Sequence, residues 1–430
     1  MKKTIAVGIL LLSIGVSVFS QDIFTQLSQK TVIDLQSGTG SDTGVLLDAY
    51  AKVYPALKGK EAVAQKVVNL ASLKKNASPR DVMAEISSIC EVMNKGKFNN
   101  SIDGLLSTTL AYTWELMALK IREEEFAKAS SYIEKVKSIQ SLMKEAKTTD
   151  QIKAALSQYA ELGQQAKKEG YVSTSADIFN GLVQIKEQLK TVSGSDYIAA
   201  AQALLDEGFF YDHAFSFIYK AKKYAETEDE AKLMISSFDP KKRSLASRII
   251  YGKSYYYWLW ANTVTSASIE DRSSALIYYS NGSDRALSLE YQAAYEASYA
   301  RGLYEWIMLK YTSDDDEYFS YLNASAFAIQ GAIATDPQNI DILMDCCIIC
   351  FKIGFHKIVA DAADTLIAAG ADNAGIRYYR GISFYMYSLK NSIFYRKEDA
   401  LTDLNMVLSA SPEIGNREII EEAIKYYKEN

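Results

Sequence analysis

The apolar residues of this chain recur with the period of an α-helix over most of its length. Alanine, leucine, lysine, glutamate and tyrosine dominate runs with a period of about 3.6 residues. Alternating strand-like runs joined by Asn-Gly or Asp-Gly turns are nearly absent, and Asn281-Gly282 lies between two helical patterns. Long helices are predicted from Asp103 to Glu161, where Gly104 is the only glycine and no proline occurs. The pattern predicts an almost entirely α-helical protein.

A three-position frame recurs within these helical runs. It has a small residue, an apolar residue four positions later, and a small or β-branched residue three positions after that. Positions i, i+4 and i+7 share one helix face, so the small residue lets a neighbouring helix approach closely. The recurrence predicts stacked helical hairpins. The matches are Ser325/Ile329/Ala332, Ala400/Leu404/Val407, Ala214/Ile218/Ala221, Ala129/Ile133/Val136 and, with a polar middle position, Ala360/Asp364/Ile367.

Prolines and glycines mark where the predicted helices begin and end. Four of the five prolines follow serine or aspartate, which pairs a capping side chain with proline at the first helical position. A hairpin is predicted from Tyr197 to Glu226, with its turn at Glu207-Gly208. In contrast, 283–311 has one internal glycine and no proline, and it predicts one helix of about 29 residues. The four dipeptides are Ser78-Pro79, Asp239-Pro240, Asp336-Pro337 and Ser411-Pro412.

These frames resemble the second helix of the tetratricopeptide repeat. Ser325 and Ala360 are 35 residues apart, close to the 34-residue period of that family, and the next interval of 40 implies an insertion around Lys390–Arg396. First-helix positions match less well: Gly381 and Phe384 stand where the family prefers small and aromatic residues, and Cys347 and Cys350 stand there one repeat earlier. The resemblance implies a right-handed superhelix whose concave face binds peptides or proteins, usually without catalysis.

The fold class expected is therefore all-α: a right-handed solenoid of helical hairpins, preceded by a helical region of less regular repeats. The predicted divisions are a signal peptide at 1–20, an N-terminal helical region at 21–192 and a tetratricopeptide-like repeat region at 193–430. The limit between the last two is placed at Val192-Ser193-Gly194-Ser195-Asp196, a polar, glycine-containing stretch. A loop is expected at 36–44, which contains three glycines.

The N-terminus has the pattern of an export signal. Lys2 and Lys3 precede an apolar run from Ile5 to Phe19, and small residues before Gln21 favour cleavage after Ser20. An uncleaved anchor is the alternative, although the run is short for a membrane span. No cysteine follows the run for lipid attachment. The expected location is exported, either periplasmic or associated with the cell envelope, with no membrane span after cleavage.

Net charge argues against nucleic-acid binding. The formal charge is −6, and removal of Lys2 and Lys3 gives −6 − 2 = −8, with no basic stripe to neutralise phosphates. The acidic run 314–317 lacks the alternating spacing and turn glycine of a calcium loop. No motif of a nucleotide site, zinc protease or catalytic triad occurs. No catalytic residue and no cofactor are therefore predicted.

The four cysteines are interpreted as small core residues. Cys346, Cys347 and Cys350 cluster on one predicted helix and Cys90 is remote, while His213 and His356 are the only histidines. So few further ligands disfavour a metal site. An oxidising compartment leaves open a disulfide from Cys90 to any one of the other three.

Aromatic residues concentrate in the middle of the chain and supply the candidate ligand site. Tyr255–Trp260 is aromatic or apolar on every side of a helix, and a tyrosine stripe follows about thirty residues later. An interhelical core explains such residues, and an aromatic groove for a peptide, glycan or hydrophobic small molecule is the functional alternative. The residues of this candidate groove are Tyr255, Trp258, Tyr291, Tyr295, Tyr299 and Trp306.

The function predicted is that of an exported, non-catalytic scaffold for protein–protein interaction in the cell envelope, with a protein or peptide partner. The first alternative is a carrier of a solute or glycan, or a transporter-associated protein, that uses the aromatic groove. The second is an enzyme built on a helical toroid, whose scattered carboxylates one sequence does not reveal.

Overall fold

The computed structural model describes residues 51, 61–73, 77–95, 101–264, 266–286, 292–310, 315–410 and 414–429. The side chains of 95, 101–102, 282–286, 292–295 and 315 lie outside this description. The predicted signal peptide, the predicted loop at 36–44 and Tyr291 also lie outside the described residues.

The described residues form eighteen α-helices and no strand, which confirms the all-α fold class. Successive helices pack against one another along the chain, as in a helical solenoid. In chain order they are α1 Glu61–Leu73, α2 Pro79–Lys95, α3 Ser101–Lys128, α4 Ser130–Glu145, α5 Thr149–Lys168, α6 Val172–Gln188, α7 Gly194–Glu207, α8 Tyr211–Ala221, α9 Glu228–Ser236, α10 Pro240–Thr263, α11 Ile269–Ala286, α12 Gln292–Lys310, α13 Asp315–Thr335, α14 Ile340–Ile353, α15 His356–Ala368, α16 Ala374–Asn391, α17 Lys397–Ala410 and α18 Arg417–Glu429.

Helix starts follow the capping rules, with one correction. Pro79 and Pro240 begin α2 and α10, and the Asp239 side chain accepts a hydrogen bond from the Lys241 backbone N–H, as predicted. The prediction for Pro337 was wrong, because α14 begins three residues later, where Asn339 accepts from the Ile342 N–H. Pro337 instead occupies the turn before that cap. Pro412 lies outside the described residues.

The helices from α1 to α11 share one continuous hydrophobic cluster, to which Trp306 and Ile307 of α12 and Leu322 of α13 also belong. Helix α10 brings distant parts of this cluster together, because it packs back onto α2 and α3. The Thr108 hydroxyl of α3 donates to the Gly252 carbonyl of α10 at 2.9 Å, so the two backbones lie close together. The stretch 192–196 contains the turn between α6 and α7, where Ser193 and Asp196 form a capping box. The division of the chain at this turn stays a prediction.

The C-terminal part is a stack of three hairpins, α12/α13, α14/α15 and α16/α17, closed by α18. The first helices of neighbouring hairpins pack on one another, α12 on α14, α14 on α16 and α16 on α18, whereas the second helices α13, α15 and α17 contact one another less. The first helices therefore form the more closely packed of the two layers. The helices α12, α14, α16 and α18 are called the first-helix layer below.

The recurrent frame identifies buried positions in most of its matches. Every residue of the frames in α8, α13 and α17 is fully buried. The match that contains Ile133 was wrong: Ile133 is exposed, and α4 buries Tyr132 and Ile139 instead. In α15 the polar middle residue Asp364 forms ion pairs with Arg380 of α16 and with Arg396. A charged pair between helices therefore replaces an apolar contact at that position.

The single long helix predicted for 283–311 was also wrong. Residues 283–286 end α11 and residues 292–310 form α12, and these two helices pack side by side, which one continuous helix cannot do. A Cβ at Gly302 would overlap the Ser280 hydroxyl oxygen and lie 3.1 Å from the Leu276 carbonyl oxygen of α11. Asn281-Gly282, which was expected between two helices, lies within α11.

Within the described ranges, no helix combines the length and the apolarity that crossing a bilayer requires.

Candidate functional site

The aromatic helix α10 presents two different faces. Tyr255 and Trp258 are buried, with ring centroids 5.2 Å apart, and both pack against Tyr279 of α11. Tyr257 lies on the other face and is 37% exposed. Its ring stacks on that of Tyr278, which is 61% exposed, at 5.2 Å and an interplanar angle of 29°. The exposed aromatic surface is thus formed by two tyrosines that the predicted groove did not include.

The other residues of the predicted groove divide between several environments. Tyr299 of α12 is half-buried, and the side chain of Tyr295 in the same helix is outside the description. Trp306 is buried and meets Tyr321 of α13 edge to face at 4.4 Å. The structure therefore joins Tyr255 and Trp258 to each other and pairs Trp306 with Tyr321. The use of these residues as a ligand groove stays a prediction.

Beside Trp258 lies a polar cluster that the sequence did not reveal, here called the inner cluster: Arg301 and Glu305 of α12 with Asp341 and Asp345 of α14. Each helix supplies two of these residues one turn apart, so both pairs lie on the facing surfaces of the first-helix layer. Arg301 forms an ion pair with Asp345, and its guanidinium carbon lies 5.5 Å from the ring centroid of Trp258. All four charged side chains are half-buried.

Burial disfavours the ionised form of the carboxyls in the inner cluster. It raises the pKa of Glu305 and of Asp345 above their ordinary values, while the nearby Arg301 opposes the rise. Burial likewise raises the pKa of Asp341 from 3.8 to about 7. Arg301 lowers that pKa, and the neighbouring carboxyls of Asp345 and of Asp103 in α3 raise it further. A cluster that keeps carboxyls in an unfavourable state costs stability, which is common at functional sites.

The variant Asp341→Asn is expected to be more stable than the wild type at pH 8 but not at pH 4. Between pH 4 and pH 7 the unfolded chain ionises Asp341 while the folded protein keeps it protonated, so wild-type stability falls as pH rises. Asparagine does not titrate, and each pKa unit corresponds to about 1.4 kcal/mol, so the variant should gain about 1–4 kcal/mol over this range. Urea unfolding at both pH values measures the difference.

The control is Asp361→Asn, which removes an exposed carboxylate from α15. Its stability relative to wild type should be nearly the same at the two pH values, because Asp361 is exposed and does not belong to the inner cluster. A constant difference between Asp341→Asn and wild type across the pH range would show that Asp341 is not held in its neutral form.

A second charge network, which is half-buried, joins three helices near Tyr257. Lys253 of α10 donates to Glu115 of α3 at 2.7 Å and to Asp212 of α8 at 2.9 Å. The two carboxylates raise the pKa of Lys253 against the effect of burial, and Lys253 lowers the pKa of Asp212. The network therefore favours the charged forms of Lys253 and Asp212, and it ties α3, α8 and α10 together.

The cysteines are free buried thiols, so the disulfide left open for Cys90 is not formed. Cys90 belongs to the hydrophobic cluster of the N-terminal helices, and the other three belong to that of the C-terminal hairpins. Burial raises the pKa of Cys90 to about 12, which disfavours the reactive thiolate. Among the described residues, no group of three or more His, Cys, Asp or Glu side chains is placed to hold a metal ion.

Comparison with known proteins gives no family. No family model matches the chain, and no curated protein matches it. One solved structure that is similar is the Assembly Chaperone of RpL4 (Acl4), residues 1–338, with 12% sequence identity, a TM-score of 0.25, and coverage of 64% of this chain and 95% of that chain. A likeness of this degree supports no inference about function.

Proposed function

We propose that the protein is an exported, non-catalytic scaffold of tetratricopeptide-like type that holds a segment of a partner protein along its first-helix layer. The observation that carries the proposal is the inner cluster. Four charged side chains of α12 and α14 converge beside the buried Trp258 of α10 on the first-helix layer, and these four remain partly accessible there. Stacked helices offer a long surface for an extended or helical peptide, and polar groups that are fixed in place give it register.

Export is part of this proposal and is motivated by the basic and apolar residues at 2–19, followed by small residues before Gln21. A periplasmic or envelope location would bring the first-helix layer into contact with envelope proteins. Cell fractionation tests this part, and recovery of the protein with an intact N-terminus in the cytosol would contradict it.

Photo-crosslinking in the native cell tests the binding surface. We expect p-benzoylphenylalanine in place of Tyr304, which lies half-buried in α12 near Asp345, to form crosslinks to another protein. The matched control places the same residue at Phe327, which is 66% exposed on the second helix α13. Crosslinks at 304 but not at 327 support binding along the first-helix layer. Crosslinks at 327 alone, or none at either position, would overturn the proposal.

A second candidate function is a carrier of a glycan or small aromatic solute, and the stacked pair Tyr257–Tyr278 favours it. Exposed tyrosine faces can stack on sugar or aromatic rings, and the carboxylates of Glu115 and Asp212 beneath them can accept hydrogen bonds. Ligand screening by tryptophan emission and melting temperature distinguishes this candidate, since Trp258 and Trp260 lie on the same helix. A response that Tyr278→Ala abolishes would support it, and a screen without any response would remove it.

A further inference from the structure

Two carboxyls of the inner cluster have no counter-ion of their own. Within the part of the chain that the structure describes, the side chains of Glu305 and Asp341 take part in no hydrogen bond or ion pair, while Arg301, the guanidinium that both face, is already paired with Asp345. Asp341 therefore faces one cation that is engaged elsewhere and two further carboxyls, those of Asp345 and Asp103. Glu305 faces Arg301, Asp345 and, from α11, Arg272. Arg272 Nε donates to the Ala261 carbonyl.

Two neutral polar groups at the same place also lack partners. The indole Nε1–H of Trp258 makes no hydrogen bond, although the side chain is only 4% exposed. The buried hydroxyl of Tyr279 lies beside Ser298 and Arg301 and makes no hydrogen bond of normal geometry. Native proteins seldom leave buried polar atoms unsatisfied, because each one costs stability. Unsatisfied donors and uncompensated carboxyls in one place indicate a site that a polar ligand completes.

The chemistry of these groups selects the ligand. Carboxylates with a deficit of positive charge favour an ammonium or guanidinium group, which is the kind of cation that already lies over the Trp258 ring in Arg301. A metal ion fits less well, because the described residues offer no group of three ligands. The carboxyls are half-buried, so a cation on a long, flexible stem reaches them better than one attached close to a peptide backbone.

We propose that the inner cluster binds a lysine or arginine side chain of the partner segment, with Glu305 and Asp341 as its counter-ions. This inference rests on the proposed scaffold function and names the chemistry that the scaffold recognises. The cation completes the charge balance that Arg301 leaves incomplete. Because the bound cation favours ionised carboxyls, its binding should release protons and should strengthen as pH rises from 6 to 8.

The test uses N-acetyl-arginine methylamide and N-acetyl-lysine methylamide, titrated into the full protein up to about 50 mM and followed by tryptophan emission and calorimetry. We expect at least one of them to bind at least tenfold more tightly than N-acetyl-citrulline methylamide, which is uncharged and nearly the same shape as the arginine ligand. We also expect binding to strengthen between pH 6 and pH 8. Equal responses to the arginine and citrulline ligands, or no binding by either cation, would overturn the inference.

The variant pair separates the inner cluster from general electrostatic attraction. Glu305→Gln/Asp341→Asn should weaken binding of the cation at least tenfold and remove its pH dependence. Asp361→Asn/Glu398→Gln makes the same charge change at exposed positions of the second helices α15 and α17, and should leave binding unchanged. Equal losses in the two double variants would show non-specific attraction and contradict the inference.

Failure of this inference is distinguishable from failure of the scaffold proposal. If the crosslink from position 304 persists in Glu305→Gln/Asp341→Asn, the scaffold proposal stands and the proposed cation site is rejected. The opposite outcome is that the wild type forms no crosslink at position 304 but still binds the cation through Glu305 and Asp341. That result would support the cation site and reject the protein partner, and the ligand would then be a free amine or guanidine solute.

Discussion

The variant Asp403→Ala is expected to lower the free energy of unfolding of the C-terminal hairpins by about 3–5 kcal/mol, the usual cost of removing one partner from a buried ion pair. Asp403 of α17 is fully buried. Its carboxylate accepts hydrogen bonds from Arg377 at 2.7 Å and from Arg380 at 2.6 and 2.9 Å, both on α16. Its loss leaves two guanidinium groups without their shared counter-ion, and Arg380 is itself buried.

The damage should be local, because each hairpin of a stack packs on its neighbours alone. Arg380 also pairs with Asp364 of α15, so the loss should spread from α15 to α17. Hydrogen exchange followed by mass spectrometry measures this directly. Peptides from these helices should lose protection in Asp403→Ala, while those from α3 to α10 should retain it.

The matched control is Asp399→Ala, one turn earlier in the same helix. Asp399 pairs with Arg396 at 2.7 Å, and its side chain is 49% exposed. An exposed pair contributes about 0–1 kcal/mol, so this variant should remain close to wild type. Equal destabilisation by the two substitutions would mean that the buried network around Asp403 does not hold the hairpins together.

Local pattern in the sequence was sufficient for the fold class and for much of the C-terminal stack. Helical period and capping dipeptides depend on residues within a few positions of one another, so α10 could be placed at Pro240 from the sequence alone. The frame succeeded in α8, α13 and α17 because small-to-apolar packing repeats there. It failed at Ile133, where three common residues matched by coincidence of spacing.

The inner cluster could not be predicted, because its residues look like ordinary helix surface when read one helix at a time. Arg301/Glu305 and Asp341/Asp345 are charged pairs at i and i+4, a spacing typical of solvated helices. Tertiary packing alone turns them inward, and Arg301 and Asp345 are 44 positions apart in sequence. Aromatic density drew attention to α10, but it did not distinguish the buried face of that helix from the face that carries Tyr257.

The packing of α10 against α3 could not be predicted from the sequence either. It depends on Gly252, whose partner Thr108 lies 144 residues away in the sequence. Helix interiors disfavour glycine by about 1 kcal/mol relative to alanine, so Gly252 read alone suggests only a weak point in α10. In the fold, its missing side chain allows the backbones of α3 and α10 to meet. A residue that disfavours its own helix thus permits a contact between two helices that are distant in sequence.

The variant Gly252→Ala is therefore expected to destabilise the protein by about 3 kcal/mol, at the upper end of the usual cost of overpacking. A Cβ at this position would overlap the Ser107 carbonyl group and come within 2.9 Å of the Thr108 backbone nitrogen. Backbone atoms cannot rotate away as a side chain does, so α10 must move off α3. That movement should also break the hydrogen bond from the Thr108 hydroxyl to the Gly252 carbonyl. A lower melting temperature and faster hydrogen exchange in α3 and α10 measure the effect.

Gly331→Ala is the matched control, because it places the same methyl group in the interior of another helix, α13. The atoms that this methyl would meet, at 2.5 and 3.0 Å, are at the far end of the flexible Glu296 side chain, which can swing aside. Alanine also favours a helix over glycine by about 1 kcal/mol, so this variant should be as stable as wild type or slightly more so. Equal behaviour of the two variants would show that α3 and α10 do not meet at their backbones. A loss confined to Gly252→Ala would establish that contact as the closure of the N-terminal helices.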